Sequence, residues 1–250
     1  MKLVRFIRSE LEGYGVYADG RITPVLDIFD PVVCGDSFDA SEAVLLAPCE
    51  PTKMVCAGLN YTDHAIELNM PIPDEPIIFL KPSTSALDPD GVVLYPELTH
   101  QLEFEAELAV VIGKKAKSVP VEDAAEYILG YTCMNDITAR DLQRKDGQWT
   151  RAKSFDTFGP FGPWIETELD PCCATVEAYL NGVQKQCSNT KNMHYSPFQL
   201  VSFISQVMTL NPGDIIATGT PPGVGAMVVG DEIEVRISGI GSLKNRIGKQ

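Results

Sequence analysis

A strand-rich α+β fold is predicted for this chain, on three observations. Residues Leu102 to Gly113 alternate as a strand, with Leu102, Phe104, Ala106, Leu108 and Val110 on one face and Glu103, Glu105, Glu107, Ala109 and Val111 on the other. Short alternating segments bounded by turn residues recur near both ends of the chain. Helical signals are confined to a few stretches.

In chain order, Leu3 to Phe6, Gly13 to Tyr17 and Arg21 to Leu26 read as short strands, with Asp19-Gly20 as a hairpin turn. They read as a small N-terminal β domain over residues 1–50, joined through Pro48 to Lys53 to a larger domain over 51–250. Thr62 to Leu68 is a short helix running into the proline- and acid-rich connection Asn69 to Pro76. Val121 to Ile128 is a second helix, with acids in its first turn and Gly130 after its end. The clearest helix spans Pro197 to Leu210, capped by Ser196, opened by Pro197 and stopped by Asn211-Pro212-Gly213. Asp214 to Thr218 and Asp231 to Ile237 return to strand.

With 250 residues, 44% of them hydrophobic, the chain is long enough to bury a sizeable core. A formal charge of −14 argues against a nucleic-acid partner, which calls for a basic surface. No window approaches the ~20 apolar residues of a membrane helix. The charged N-terminal stretch lacks the apolar run of a signal peptide, so a cytoplasmic location is expected, with no membrane partner. Seven cysteines without a Cys-x-x-Cys pair suit reduced thiols used in packing, not a disulfide frame or thiolate zinc site. The three histidines form no metal-binding pair.

Like charges on one half-buried strand face repel and are costly to desolvate, unless a cation or protonation neutralises them. The alternative for such acids is an edge strand facing solvent. Asp136 closes a strand from Gly130 and reads either as the N-cap of a following helix or as a third oxygen ligand beside Glu105 and Glu107. Three such ligands suit an octahedral Mg2+ or Mn2+ with positions left for water and substrate. His64 and Glu67 lie three apart on one helix face, as a surface ion pair or as an imidazole poised as general base. Lys81, Arg140 and Lys153 either balance surface charge or attract an anionic substrate. The glycine- and proline-rich loop Gly219 to Gly225 lacks the Gly-Lys-Ser/Thr ending of a P-loop. It is a tight turn or a set of backbone amides suited to a carboxylate.

Six ordered motifs carry a family resemblance: Asn60-Tyr61-x-Asp63-His64-x-x-Glu67, Phe79 to Ser83, Glu105-x-Glu107 to Gly113, Asn135-Asp136-x-Thr138 to Asp141, Ala152 to Asp156, and Thr218 to Gly225. Over roughly residues 53–247 the chain resembles the fumarylacetoacetate hydrolase superfamily, including bacterial 2-hydroxyhepta-2,4-diene-1,7-dioate isomerases, acylpyruvases and oxaloacetate decarboxylases. The resemblance implies a mixed β-roll with a few short helices, usually a homodimer. It implies Mg2+ or Mn2+ on Glu105, Glu107 and Asp136, and a His64–Glu67 dyad on a helix that orders with ligand. It also implies a catalytic Lys153, and Arg140, Gln143 and Thr220 facing a small anionic 2-oxo acid.

The chemistry of these activities converges. A 2-oxo acid chelates the cation through its carboxylate and ketone oxygens, which stabilises the enolate at the adjacent carbon, with Lys153 adding positive charge. Water activated by His64 gives C–C hydrolysis, loss of carbon dioxide gives decarboxylation, and return of the proton elsewhere gives isomerisation. C–C cleavage of a small 2-oxo or 2-hydroxy-dienoic diacid is the expected activity, with isomerisation of 2-hydroxyhepta-2,4-diene-1,7-dioate or 5-carboxymethyl-2-hydroxymuconate as the alternative. A silent scaffold would not require triad, dyad and lysine together. A phosphotransferase is disfavoured by the missing P-loop.

Overall fold

A computed structural model describes residues 1–250 except Leu68 and Met70. Twelve strands form one mixed sheet. Its path runs Phe38–Asp39, Arg21–Val25, Leu11–Ala18, Lys2–Arg8, Gly159–Glu166, Ile128–Asn135, Ala106–Ile112, Ile215–Ala217, Lys53–Gly58 and Ile77–Pro82, with Val44–Leu46 and Ala86–Leu87 paired off this path. A five-stranded sheet orders Val183–Asn189, Thr175–Leu180, Glu232–Ile237, Gly241–Lys249 and Val92–Tyr95. A three-stranded sheet joins Thr138–Ala139, Leu102–Phe104 and Gly225–Met227. This is the mostly β, several-sheet architecture expected from the sequence.

The strand Ala106–Ile112 lies at the centre of the fold. Its side chains alternate between two cores, and every residue in it is buried. Leu108, Val110 and Ile112 enter the larger core with Val176, Val235, Leu243 and the helix residues Leu200, Val201 and Ile204. Ala109 and Val111 enter a second core with Met54, Met134, Phe161 and Ile215. Burial on both faces is why this segment turns continuously apolar after Glu107. Antiparallel neighbours flank it on both sides, with Ala106 opposite Asn135 and Ala109 opposite Ala217.

Several elements differ from the sequence expectation. The strand read from Leu102 to Gly113 is two strands broken at Glu105, because Leu102–Phe104 leaves the large sheet to pair with Thr138–Ala139 and Gly225–Met227. The segment Val121–Tyr127 is a 3₁₀ helix, and the long helix is Pro197–Val207, closed by Met208. Its start is as expected, with a reciprocal capping box between Ser196 and Gln199. The first helix is Thr62–Glu67, and the expected last residue, Leu68, lies outside the described residues. Asp136 caps no helix. The helix Arg140–Asp146 starts after the bridging strand Thr138–Ala139, with Ala139 in its N-cap position.

The N-terminal strands have their own small cluster of Val4, Phe6, Ile22 and Phe38. Their sheet is nonetheless continuous with the large one, through Lys2 opposite Glu166 and Leu3 opposite Ile165. Cys49, Cys56 and Cys133 are buried, whereas Cys34, Cys172, Cys173 and Cys187 are exposed, so packing accounts for only three of the seven thiols. Among the described residues, no helix is long and apolar enough to cross a membrane.

Asp214 ties the entries of two strands together. Fully buried, it accepts from the Thr52 hydroxyl at 2.6 Å, the Thr52, Lys53 and Asn211 amides at 3.0, 3.2 and 2.8 Å, and the Lys53 ammonium. These bonds hold the entry of Lys53–Gly58 against the entry of Ile215–Ala217, which run parallel. Removing a carboxylate of this kind leaves its donors unpaired in a dry site. Asp214→Ala is expected to lower unfolding stability by about 3–5 kcal/mol, read as a lower urea midpoint at unchanged slope. A loss below about 1 kcal/mol would show that these bonds contribute little.

Candidate active site

Pairing register explains how the acids converge. Asn135 ends its strand opposite Ala106. The next residue, Asp136, and the preceding residue across the pair, Glu105, therefore meet, and the Asp136 amide donates to the Glu105 carbonyl at 2.9 Å. The Asn135 side chain fixes the same corner by accepting from the Glu105 amide at 2.9 Å. Glu107 projects from the neighbouring pleat. One ligand oxygen each from Glu105, Glu107 and Asp136 lie within 4.8 Å of one another, and all three residues are buried. Glu103 does not join them. The break at Glu105 turns it to Arg140, whose Nε lies 2.7 Å from its carboxylate.

Three buried or nearly buried cations face these acids. Lys81 donates to Asp136 Oδ1 at 2.6 Å and to the Ile137 carbonyl at 3.1 Å. Lys153 bridges Glu105 Oε2 at 2.9 Å and Asp136 Oδ2 at 2.7 Å. Arg140 pairs with Glu103 and Glu105 and donates to Gln143 Oε1 at 2.5 Å. Burial pushes the Glu105 carboxyl up, but Lys153 and Arg140 outweigh it and hold that carboxyl well below the usual range. Burial likewise disfavours the Lys153 ammonium, but Asp136 and Glu105 reverse the effect and raise its pKa.

Glu107 has no such partner. Burial, then Asp136 and Glu105, push its carboxyl well above the ordinary range. Its one hydrogen-bond donor among the described residues is the Gly219 amide at 2.8 Å. Four carboxylates, Glu103, Glu105, Glu107 and Asp136, thus face three cations. A hard divalent cation fits this donor set, being all oxygen, clustered, and short of positive charge at Glu107.

The dyad residues come from the helix Thr62–Glu67, where His64 Nδ1 lies 2.8 Å from Glu67 Oε2. Asn60, just before this helix, donates to the Thr218 and Tyr195 carbonyls at 2.8 and 2.9 Å and accepts from the Tyr195 amide at 2.8 Å. The loop after Thr218 then supplies two amides, Gly219 to Glu107 and Gly223 to Glu67 at 3.2 Å. Both glycines have positive φ. A Cβ would fall 2.9 Å from Asn60 Cβ at Gly219 and 2.2 Å from the Lys185 carbonyl at Gly223, so glycine is required at both. The loop's amides hold carboxylates, as its composition allowed, but two of the protein's own.

One cavity of about 400 Å³ is lined by His64, Glu105, Glu107, Arg140, Gln143, Lys153 and Thr220, together with an apolar wall that includes Ile77, Phe79 and Trp149. Of the residues singled out in the sequence, Asp136 lies outside this lining with no exposed surface, and Glu67 sits behind His64. The Thr220 hydroxyl is engaged with the protein itself, donating to the Ala106 carbonyl at 3.0 Å and accepting from Gln186 Nε2 at 2.8 Å. Lys81, read from the sequence as balancing surface charge or attracting an anionic substrate, does neither: it is wholly buried, lies outside this lining and donates to Asp136. One support escaped the sequence reading. Gln186, which clamps Thr220 and the Ala106 amide, carried no signal at all.

The fold keeps Glu107 protonated at pH values where the unfolded chain ionises it, so the metal-free protein loses stability as pH rises above the ordinary glutamate range. Glu107→Gln is therefore expected to raise the melting temperature of metal-free protein at neutral pH. Wild type should gain roughly 5–10 °C from Mg2+ or Mn2+ at a hundredfold excess over Kd, and the variant should gain little. Equal metal-induced shifts in both proteins would remove Glu107 from the ligand set.

Comparison with known proteins places this geometry in context. The profile of the Fumarylacetoacetate (FAA) hydrolase C-terminal family matches residues 53–248. The crystal structure of 5-carboxymethyl-2-hydroxymuconate delta-isomerase from Mycobacterium smegmatis is similar at a TM-score of 0.95 and 40% identity, covering 100% of both chains. The fumarylpyruvate hydrolase of Pseudomonas aeruginosa, solved with Mn2+ and pyruvate, aligns at a TM-score of 0.75 and 32% identity over 83% of this chain and 92% of that one. The mitochondrial oxaloacetate tautomerase fahd2 of Xenopus laevis is 42% identical over 220 residues, 83% of this chain and 69% of the relative.

Proposed function

The chain belongs to the fumarylacetoacetate hydrolase family, and from that premise we propose that it is a Mg2+- or Mn2+-dependent enzyme acting on small 2-oxo or 2-hydroxy-dienoic diacids through an enolate, with C–C bond cleavage as the net reaction. The observation that carries this reading is that the His64 imidazole faces the same cavity as Glu105 and Glu107, whose carboxylates cluster with that of the buried Asp136. The manganese and pyruvate in the structure of the Pseudomonas hydrolase support it.

When bound by Glu105, Glu107 and Asp136, the cation supplies Lewis acidity to the carboxylate and ketone oxygens of a 2-oxo acid. The protein's own groups supply the rest. Lys153 keeps an ammonium beside Glu105 and Asp136, where negative charge develops on the substrate oxygen. Glu67 fixes the imidazole through Nδ1, leaving Nε2 of His64 to exchange a proton. A proton taken from water leads to hydrolysis of the bond between the acyl group and the enolate.

Isomerisation is the second reading, favoured by the isomerase and tautomerase activities carried by the names of two relatives. It uses the same imidazole to move a proton between carbon and oxygen, without water. Decarboxylation needs neither water nor a base.

His64→Ala is expected to slow acylpyruvate hydrolysis by ~10²–10⁴-fold, while calorimetric binding of oxalate to the Mg2+-loaded variant persists. On oxaloacetate decarboxylation the order inverts, with Lys153→Ala the more damaging change. Full activity of both variants on acylpyruvate, oxaloacetate and a hydroxymuconate analogue would remove dyad and lysine from the reaction.

A further inference from the structure

Three cations line the cavity, and two of them are already matched. Arg140 is paired with Glu103 and Glu105, and Lys153 with Glu105 and Asp136. The third, Arg144, forms no ion pair among the described residues. Its guanidinium donates only to the neutral side-chain oxygen of Gln101. Arg144 follows Arg140 by four residues on the helix Arg140–Asp146, so the two share a face about 6 Å apart along the axis. Arg140 reaches the acidic floor, while Arg144 stands exposed at the outer end of the same cavity.

Between floor and rim the wall is apolar and aromatic. Phe79 and Trp149 meet edge to face, with centroids 5.2 Å apart and planes at 73°. Trp149 lies against the backbone of Gly58, where a Cβ would fall 2.6 Å from its ring. Ile77 extends the same surface. The cavity volume, about 400 Å³, is that of a site for ligands larger than a short acid. Along its length it offers an anchoring end for a 2-oxo acid, an apolar stretch, and an unmatched guanidinium.

We propose that Arg144 is the specificity-determining residue that captures a second, distal carboxylate, so that the preferred substrate is an elongated 2-oxo diacid whose carbon spine lies on Phe79 and Trp149. The inference rests on the functional reading above and deepens it. A guanidinium binds a carboxylate through two parallel hydrogen bonds, and the competing partner here, an uncharged amide oxygen, is readily displaced. Short acids such as oxaloacetate anchor at the floor and leave Arg144 unused.

Binding separates this proposal from the reaction. With Mg2+-loaded protein, calorimetry compares 2-oxoadipate with 2-oxohexanoate, which lacks the terminal carboxylate. Wild type is expected to favour 2-oxoadipate by about tenfold or more, given a charged hydrogen-bonded pair at a partly hydrated rim. Arg144→Gln should abolish that preference, Arg144→Lys should restore part of it, and added salt should erode it in wild type only. In turnover, the ratio of kcat/KM for fumarylpyruvate over acetylpyruvate should fall in Arg144→Gln, mainly through KM. A preference equal in wild type and Arg144→Gln overturns the role of Arg144 even if both acylpyruvates are cleaved. Intact binding preference without turnover of any 2-oxo acid keeps Arg144 and overturns the reaction, and failure of both 2-oxo acids to bind overturns both.

Discussion

The burial of acidic groups at adjoining strand ends is the constraint around which this molecule is organised. Carboxylates withdrawn from water are tolerable only when charge is returned to them. Here Lys81, Lys153 and Arg140 do so for three of four, and each arrives from a different part of the chain. Lys81 comes from the strand Ile77–Pro82, Lys153 from the short helix Thr150–Lys153, and Arg140 from the first turn of Arg140–Asp146. The two cores hold these elements in place. Glu107 is left with a single backbone donor, and the site is consequently built to accept a further positive charge at that carboxylate.

The same economy recurs in the loop that follows Thr218. Two amides of one glycine-rich turn hold one acid of the cluster and one of the dyad, Glu107 and Glu67. The acidic cluster and the His64–Glu67 pair are thereby fixed relative to each other through a few residues of backbone. Asn60 adds a third fastening by bonding the Thr218 carbonyl.

How much of this was legible in the sequence depends on the range over which each feature is determined. Alternation, caps and turn residues are local, so the strands near both termini, the Asp19-Gly20 turn and the capped start at Ser196 could be read directly. Glu105, Glu107 and Asp136 could be grouped from a Glu-x-Glu on one strand face, an Asp at a strand end and the family motifs, whereas the pairing of Ala106 with Asn135 that makes them meet is set by tertiary structure. Alternation alone placed Glu103 with them. It could not show that Leu102–Phe104 exchanges one sheet for another, because that depends on partners from Thr138–Ala139 and Gly225–Met227. The burial of Lys81 beneath Asp136 and the clamp by Gln186 are purely tertiary and leave no periodic trace. Nor does composition reveal that the N-terminal strands extend the large sheet, which turns on two residue pairs with Gly159–Glu166.

The parallel pairing of Ile215–Ala217 with Lys53–Gly58 spans most of the chain. During synthesis on the ribosome, Glu105, Glu107 and Asp136 emerge well before the segment that seats beside them. Until residue 219 is available, Glu107 lacks its amide, Asn60 lacks the Thr218 carbonyl, and the edges of Ala106–Ile112 and Lys53–Gly58 that will receive Ile215–Ala217 stand open. Such a nascent chain exposes unpaired strand edges beside a repelling acidic corner, a state prone to wrong pairing and slow to resolve. Completion of the acidic corner and closure of the sheet are therefore a single late event, and a chain stopped short of that loop forfeits both.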